Sequence, residues 1–203
     1  TDVENFPGYP TGIMGPQMMD ELKQQAENVG TIVHYGTATK VDFSVHPKKI
    51  SIDNEKEITA DAVILATGAT AKYLGLESEQ KLMGKGVTAC AVCDGFFYKG
   101  KEVILVGGGD SACEEALYLS NLCPQVNMIV RRDQMRASKI MQQRVIDKDN
   151  IKMFWNTQTK EVLGKEAVTG ILAFNNKTNE EFEIKGDGFF VAIGHKPNTD
   201  IFV

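Results

Sequence analysis

The chain has 203 residues, enough for one large domain or two small ones. With 42% hydrophobic and 24% charged residues it has an ordinary globular balance, and its net charge of −5 comes without the Lys/Arg block that marks a nucleic-acid surface. No apolar run approaches the roughly 18 residues of a membrane span, and the N-terminal residues carry no signal-peptide pattern. Four cysteines are too few for a disulfide framework, so a reducing, cytoplasmic setting fits. Cys90 and Cys93 then form a reactive couple, and Cys113 and Cys123 pack as small hydrophobes. The chain begins at Thr1 inside a loop-like segment and stops at Val203 just after a turn, so it reads as a portion of a longer protein.

In chain order, residues 1–15 form a loop rich in Pro and Gly. A helix is predicted over 16–28, started by Pro16 and stopped by Gly30, with Met18, Met19, Leu22 and Ala26 as its apolar spacing and both methionines as core filler. Residues 31–35, 38–45 and 49–52 read as strands of a small antiparallel layer. The continuous apolar run over 60–68 reads as a fully buried, parallel-type strand ending in Ala66-Thr67-Gly68. A domain boundary is placed near Lys85. Beyond it, strands are predicted over 86–89, 102–106 and 126–130 and helices over 111–122 and 138–147. Glu114 and Glu115 sit near the N-terminal end of the first of these helices, where negative charge is favoured, with a solvated face as the plain alternative for both. Further strands follow over 151–155, 161–163, 167–174, 180–184 and 188–194. The endings Ile64-Leu65-Ala66-Thr67-Gly68 and Phe190-Val191-Ala192-Ile193-Gly194 are alike, which hints at two related ligand-binding domains in an α/β fold.

Chemistry concentrates in the second half. Gly107-x-Gly109-x-x-Ala112 lies between a strand and a helix, the context that a dinucleotide-binding turn needs. The first Gly permits the tight turn, the second lets the backbone approach a pyrophosphate, and the small Ala lets helix and strand pack closely. An NAD site places Asp or Glu at the end of the next strand, about 20 residues after the glycines. This chain has Arg131 and Arg132 there, followed by Arg136. Guanidiniums suit a 2′-phosphate, so NADPH is favoured over NADH.

Cys90-Ala91-Val92-Cys93 is open to three readings, redox-active, zinc-binding or inert. A structural zinc site wants four ligands, commonly two such pairs, and neither a second pair nor a nearby His exists here. A vicinal pair in a reducing compartment is usually a catalytic dithiol/disulfide. Asp94 adjoins it, either as a proton shuttle for a thiolate leaving group or as a turn residue before Gly95. NADPH delivers two electrons at once, so a flavin between nucleotide and disulfide is implied.

Together, Cys90-Ala91-Val92-Cys93-Asp94-Gly95-Phe96-Phe97, Gly107-Gly108-Gly109-Asp110-Ser111-Ala112, Arg131-Arg132-Asp133-x-x-Arg136-Ala137 and Val191-Ala192-Ile193-Gly194-His195-x-Pro197-Asn198 resemble bacterial-type, low-molecular-weight thioredoxin reductase. Glu4-Asn5-Phe6-Pro7-Gly8 extends the resemblance to the start of the chain. It implies a cytoplasmic homodimer dependent on FAD and NADPH that reduces the disulfide of thioredoxin, without nucleic-acid or membrane partners. By the same resemblance, Cys93 faces the flavin, Cys90 attacks the thioredoxin disulfide and Asp94 is the general acid. Gly107, Gly108, Gly109, Asp110, Ser111, Arg131, Arg132, Arg136 and Ile193 would hold NADPH, and Asn5, Val41, Ala66, Thr67 and Gly68 would touch FAD.

The implied fold is a Rossmann-like NADPH domain with inserted antiparallel strands plus part of a second, FAD-binding Rossmann-like domain. The implied domains are residues 1–85 for the partial FAD domain, 86–194 for the NADPH and redox-disulfide domain, and 195–203 for the return. The hinges of the family's domain rotation would fall near Lys85 and near Gly194-His195. Members often carry His where this chain has Val130, and the family's N-terminal FAD fingerprint and C-terminal Gly-Asp segment are absent from this sequence. The reductase component of a peroxiredoxin system shares the architecture and is the alternative, as is an NADPH-binding module without turnover.

Overall fold

A computed structural model describes residues 2–4 and 6–202. Asn5, expected at the flavin, lies outside the described residues. The chain divides into two compact units, one holding residues up to Ala66 together with those from Thr199, the other spanning Thr67–Asn198.

The first unit opens with two short antiparallel strands, β1 (Asp2–Val3) and β2 (Ile13–Met14), and helix α1 (Gly15–Asn28). Pro16 sits in the first turn of α1, where its missing N–H has no partner to lose. Gly30, at φ +90°, closes the helix by donating to the Glu27 carbonyl. No residue of α1 is buried, and Met19 is 60% exposed, so the expectation that Met18 and Met19 fill a core is corrected.

Strands β3 (Ala38–Asp42), β4 (Lys48–Ile52) and β5 (Lys56–Ala60) then form an antiparallel meander. Asp53 and Asn54 join β4 to β5 with φ of 54° and 60°, the positive values that a tight hairpin turn demands and that these two residue types tolerate. Two expected strands are absent. Residues 31–35 and 62–68 pair with no strand among the described residues, and Ile32 and Ile64 are 77% and 93% exposed. The apolar run over 60–68 has the composition of a two-faced buried strand, but β5 takes Ala60 and no strand among the described residues flanks the rest.

The second unit contains β6 (Ala69–Ala71), α2 (Glu77–Lys81), β7 (Val87–Thr88), α3 (Ala91–Asp94) and a 3₁₀ turn over Gly95–Tyr98. Next come β8 (Glu102–Val106), α4 (Asp110–Ser120), β9 (Gln125–Val130), α5 (Lys139–Ile146) and β10 (Ile151–Trp155). The unit finishes with β11 (Thr157–Gly164), β12 (Val168–Asn175), β13 (Glu181–Lys185), β14 (Gly188–Val191) and β15 (His195–Pro197). Five strands make one parallel sheet in the order β10-β9-β8-β14-β7, built by β8-α4-β9-α5-β10 crossovers. The inserted antiparallel layer is β11-β12-β13. The chain is thus α/β, with the Rossmann-like unit and antiparallel insertion expected from the sequence.

Alternation along the strands explains the two cores. Val103, Leu105, Val126, Met128 and Phe190 face α4 and α5, where they meet Ala112, Ala116 and Leu119. Ile104, Val106, Ile129, Phe189 and Val191 point the other way, onto Val162, Ile171, Ala173 and Ile184 of the antiparallel layer. With both faces covered, these strands read as uninterrupted apolar runs.

At the edge of this unit β6 and β15 pair antiparallel. Asn198 fastens the ribbon: its N–H donates to the Gly68 carbonyl, its amide to the Thr67 carbonyl, and its Oδ1 accepts from the Thr70 hydroxyl. Gly194 lies at φ +99° at the ribbon's start.

Candidate active site

Cys90 and Cys93 are joined as a disulfide, with 5.3 Å between their Cα atoms. The local sequence shapes this loop. Cys90 is extended and caps α3, and its Sγ accepts a hydrogen bond of 3.2 Å from the Cys93 N–H. That bond places a donor on the Cys90 sulfur, which favours its thiolate once the pair is reduced. Gly95 lets the loop dock on α4: a Cβ there would meet Tyr118 at 3.0 Å and Leu119 at 3.1 Å. Cys93 is exposed and Cys90 half-buried. Around them Val92, Phe96 and Phe97 are exposed by 58%, 67% and 72%, an apolar rim beside the sulfurs.

Asp94 is half-buried, and its Oδ2 accepts a 2.5 Å hydrogen bond from the Thr88 hydroxyl. That hydroxyl in turn accepts from the Cys90 N–H at 3.2 Å. Thr88 therefore ties the carboxylate to the backbone of the disulfide, a part that sequence reading did not single out. Its only sequence signal is a hydroxyl two residues before a Cys. On the other side lies Glu115. The sequence places it near the helix N-terminus with a solvated face as the plain alternative; that alternative is corrected, since its Oε2 is buried without a hydrogen-bond partner. Burial raises its carboxyl pKa, and the Ala91 N–H works against that rise. The helical spacing places Glu115 one turn beyond Ser111, on the side of α4 that meets α3; polarity alone could not show this.

Cys113 and Cys123 are free and buried. Burial pushes both thiols up to about 11, and the Cys123 thiol donates to the Tyr98 carbonyl at 3.3 Å. Among the described residues no three His, Cys, Asp or Glu side chains gather as metal ligands.

The glycine turn lies at the mouth of a cleft of about 770 Å³. Gly107 is enforced by crowding: a Cβ there would sit 2.3 Å from the Ala192 carbonyl oxygen and 2.7 Å from the Ala112 Cβ. Ala112 is small for the same reason. Gly109 is the reverse case, with nothing within 4 Å of a notional Cβ, so its backbone can be approached from the cleft. It caps α4 without a side-chain bond, leaving the first helical N–H groups directed outward. Gly108, Asp110 and Ser111 line the same cleft, and Ile193 closes one side.

Arg131, Arg132 and Arg136 line the cleft at the end of β9. Among the described residues no carboxylate lies within ion-pair distance of these three guanidiniums. Arg136 is set by its backbone, whose N–H donates to the Gly108 carbonyl at 2.6 Å. Asp110 holds the same segment, accepting from the Ser138 N–H at 2.9 Å and from its hydroxyl at 2.8 Å. These bonds lower the Asp110 pKa. The structure thus brings nine of the expected nucleotide residues to one cleft. Of the expected flavin residues, half-buried Val41 lies on β3 and Ala66 ends the first unit, whereas Thr67 and Gly68 belong to the second. No helix among the described residues is long and apolar enough to cross a membrane.

Comparison with known proteins adds the lineage. The chain is 45% identical over 205 residues to thioredoxin reductase of Rickettsia conorii, matching all of this chain and 66% of that protein. Thioredoxin reductase of Vibrio cholerae is also 45% identical, again over the whole chain and over 64% of its own length. Among solved structures, thioredoxin reductase from Giardia duodenalis superposes with a TM-score of 0.82 at 40% identity, over 99% of this chain and 65% of the other. Lactococcus lactis thioredoxin reductase gives 0.76 at 35% identity, over 98% and 66%. The chain therefore spans a little under two thirds of these relatives. The family model for pyridine nucleotide-disulphide oxidoreductases matches residues 5–202, so a disulfide next to a Rossmann-type cleft is what its lineage leads one to expect: the chain belongs to the pyridine nucleotide-disulphide oxidoreductase family.

Proposed function

We propose that the protein containing this chain is an NADPH-dependent flavoprotein disulfide reductase whose final acceptor is the disulfide of thioredoxin. The observation that carries this reading is the Cys90–Cys93 disulfide with Asp94 beside it, in the same unit as a glycine-turn cleft lined by three arginines that have no carboxylate partner among the described residues.

The donor set suits NADPH. Gly109 and the start of α4 offer N–H groups to a pyrophosphate, and Arg131, Arg132 and Arg136 offer charge-assisted bonds to a 2′-phosphate. Toward FAD, Thr67 and Gly68 would contribute backbone surface, and the resemblance adds Asn5, Val41 and Ala66. Gly68, at φ +65° with open space where a Cβ would stand, suits a close ligand. Bound FAD supplies a two-electron carrier between a nicotinamide and a disulfide.

This chain's own residues account for the rest. Two electrons and two protons convert the Cys90–Cys93 disulfide and the Asp94 carboxylate to a thiolate, a thiol and a carboxylic acid. The Cys93 N–H stabilises charge on Cys90, whose thiolate attacks one sulfur of the acceptor disulfide. As that S–S bond breaks, the departing sulfur takes a proton from the Asp94 carboxyl, which Thr88 orients. Cys93 gives its proton to the Asp94 carboxylate and attacks the Cys90 sulfur; the Cys90–Cys93 disulfide re-forms, and the second acceptor sulfur leaves with that proton, completing the reduced acceptor. The exposed rim of Val92, Phe96 and Phe97 suits a protein acceptor better than a small polar disulfide. A cytoplasmic homodimer accompanies this reading.

The test is Cys90→Ser in the full-length protein. NADPH should still reduce its flavin, while turnover of thioredoxin should fall at least about a thousandfold, as expected when an attacking nucleophile is removed. Thioredoxin turnover at the normal rate would refute the assignment.

A further inference from the structure

Discrimination for a 2′-phosphate needs more than two arginines. A guanidinium on a free turn samples many rotamers, and ordering it costs binding energy. The backbone of that turn must also satisfy its carbonyls, in water or in the protein. Here the carbonyls of both arginines are taken up, and the donors do not come from the parallel sheet that holds the cleft.

They come from a turn of the inserted antiparallel layer and from the residue that leads into it. The Asn176 side-chain amide donates to the Arg131 carbonyl at 2.9 Å. The Asn156 N–H donates to the Arg132 carbonyl at 3.0 Å. The two asparagines are themselves joined, Asn176 N–H to the Asn156 carbonyl at 2.8 Å. Asn156 stands at φ +53°, between β10 and β11, a left-handed conformation that Asn adopts more readily than most residues. The turn carrying Asn176 is stiffened from within, because Asn175 Oδ1 accepts from the N–H groups of Lys177 and Thr178. Lys177 also lies 3.6 Å from the carboxylate of Asp133, the acid next to the arginine pair. An exposed pair of this kind adds little stability, but it gives that negative charge a partner other than the arginines.

We propose that Asn176, on the β12–β13 turn, is a specificity-determining positioning residue that fixes the Arg131–Arg132 turn for a 2′-phosphorylated nucleotide. This rests on the NADPH reading above. Asn176 need not touch the nucleotide; it acts through the arginine backbone, and Asn156 completes the clamp. The selectivity of the cleft is therefore built partly by the insertion rather than by the glycine turn and β9 alone.

The test is calorimetric binding of 2′,5′-ADP and of 5′-ADP to the 203-residue chain. Asn176→Ala should weaken 2′,5′-ADP about fivefold, the worth of one net hydrogen bond, and leave 5′-ADP within about twofold. Asn176→Gln, which keeps an amide donor, should recover part of the loss. Unchanged 2′,5′-ADP affinity in Asn176→Ala, or equal weakening of both ligands, would overturn the inference. Should Asn176→Ala lose its native circular dichroism, Asn176→Asp takes its place. It keeps the size but turns the donor into an acceptor, and it must then show the selective loss. Arg131→Ala with Arg132→Ala separates the two levels. If that double variant loses 2′,5′-ADP selectively and the Asn176 variants do not, the positioning role fails and the NADPH reading stands. If the double variant loses nothing, the NADPH reading itself fails.

Discussion

Two stretches of this chain are alike in sequence pattern and opposite in fate. Ile64-Leu65-Ala66-Thr67-Gly68 and Phe190-Val191-Ala192-Ile193-Gly194 are both apolar runs ending in small residues and a glycine. In the second unit, β14 lies between β8 and β7, and Phe190 and Val191 are 0% and 2% exposed. In the first unit no described strand flanks residues 62–66, and Ile64 and Leu65 are 93% and 50% exposed. The same contrast holds more widely: among the described residues the first unit contributes Ile13 alone to the buried apolar set. Composition makes a segment able to be a buried strand; neighbours on both edges and both faces make it one.

Truncating each run tests this most directly. Phe190→Ala removes a ring that packs edge-on to Tyr98 at 5.3 Å inside the helix-side core, and should cost about 3–5 kcal/mol. Ile64→Ala, at an exposed position, should stay within about 0.5 kcal/mol. Urea midpoints with unchanged slopes would report both. Similar losses at the two sites would show that Ile64 is covered in solution and would break the contrast.

The glycines that end or follow such runs give a smaller effect. Gly107→Ala forces a Cβ against the Ala192 carbonyl and Ala112, and should cost about 1–3 kcal/mol while abolishing binding of 2′,5′-ADP. Gly68→Ala meets open space, so only its φ of +65° resists, at about 1 kcal/mol. An alanine at 107 that binds the nucleotide normally would mean that the turn relaxes without consequence.

The second unit was legible because its signals are local and mutually consistent. β8 runs into Gly107–Gly109, α4 follows with small residues toward the sheet, and β9 ends in arginines. Strand 151–155 and helix 138–147 are found within a residue of their expected ends. The first unit was less legible because an apolar run states a need without naming what meets it. Strand β5 was missed for a related reason: Lys56-Glu57-Ile58-Thr59-Ala60 is a half-exposed edge strand with one strong apolar residue, and its best signal is the Asp53-Asn54 turn before it. At the site, the residues with distinctive chemistry could be read directly. Thr88, Glu115, Asn156 and Asn176 could not: Thr88 is a common residue type whose local bonds to Asp94 and Cys90 nothing in its identity announces, and the other three act through partners distant in sequence.

Titration offers the finest test, because Glu115 in the second unit is shifted by burial in the opposite direction to Asp42 in the first, whereas the hydrogen-bonded Asp110 of the second unit is lowered as Asp42 is. Glu115, in the cored unit, has its pKa raised by burial. A raised folded pKa means that its contribution to stability is fully present below the ordinary carboxyl value of 4.5 and is lost as pH rises through the folded value. Asp42, in the open unit, is exposed, and hydrogen bonds from the Ser44 hydroxyl and N–H lower its pKa. Its contribution is present above 3.8 and lost as pH falls through the folded value. Glu115→Gln and Asp42→Asn remove one titration each. Relative to the unaltered chain, Glu115→Gln should therefore gain stability steadily from pH 4 to pH 7. Asp42→Asn should lose a little over that range and converge with it below the folded pKa. Urea midpoints at closely spaced pH values measure the two slopes, and the sign of the Glu115 slope decides: a flat or inverted difference would place that carboxylate in water.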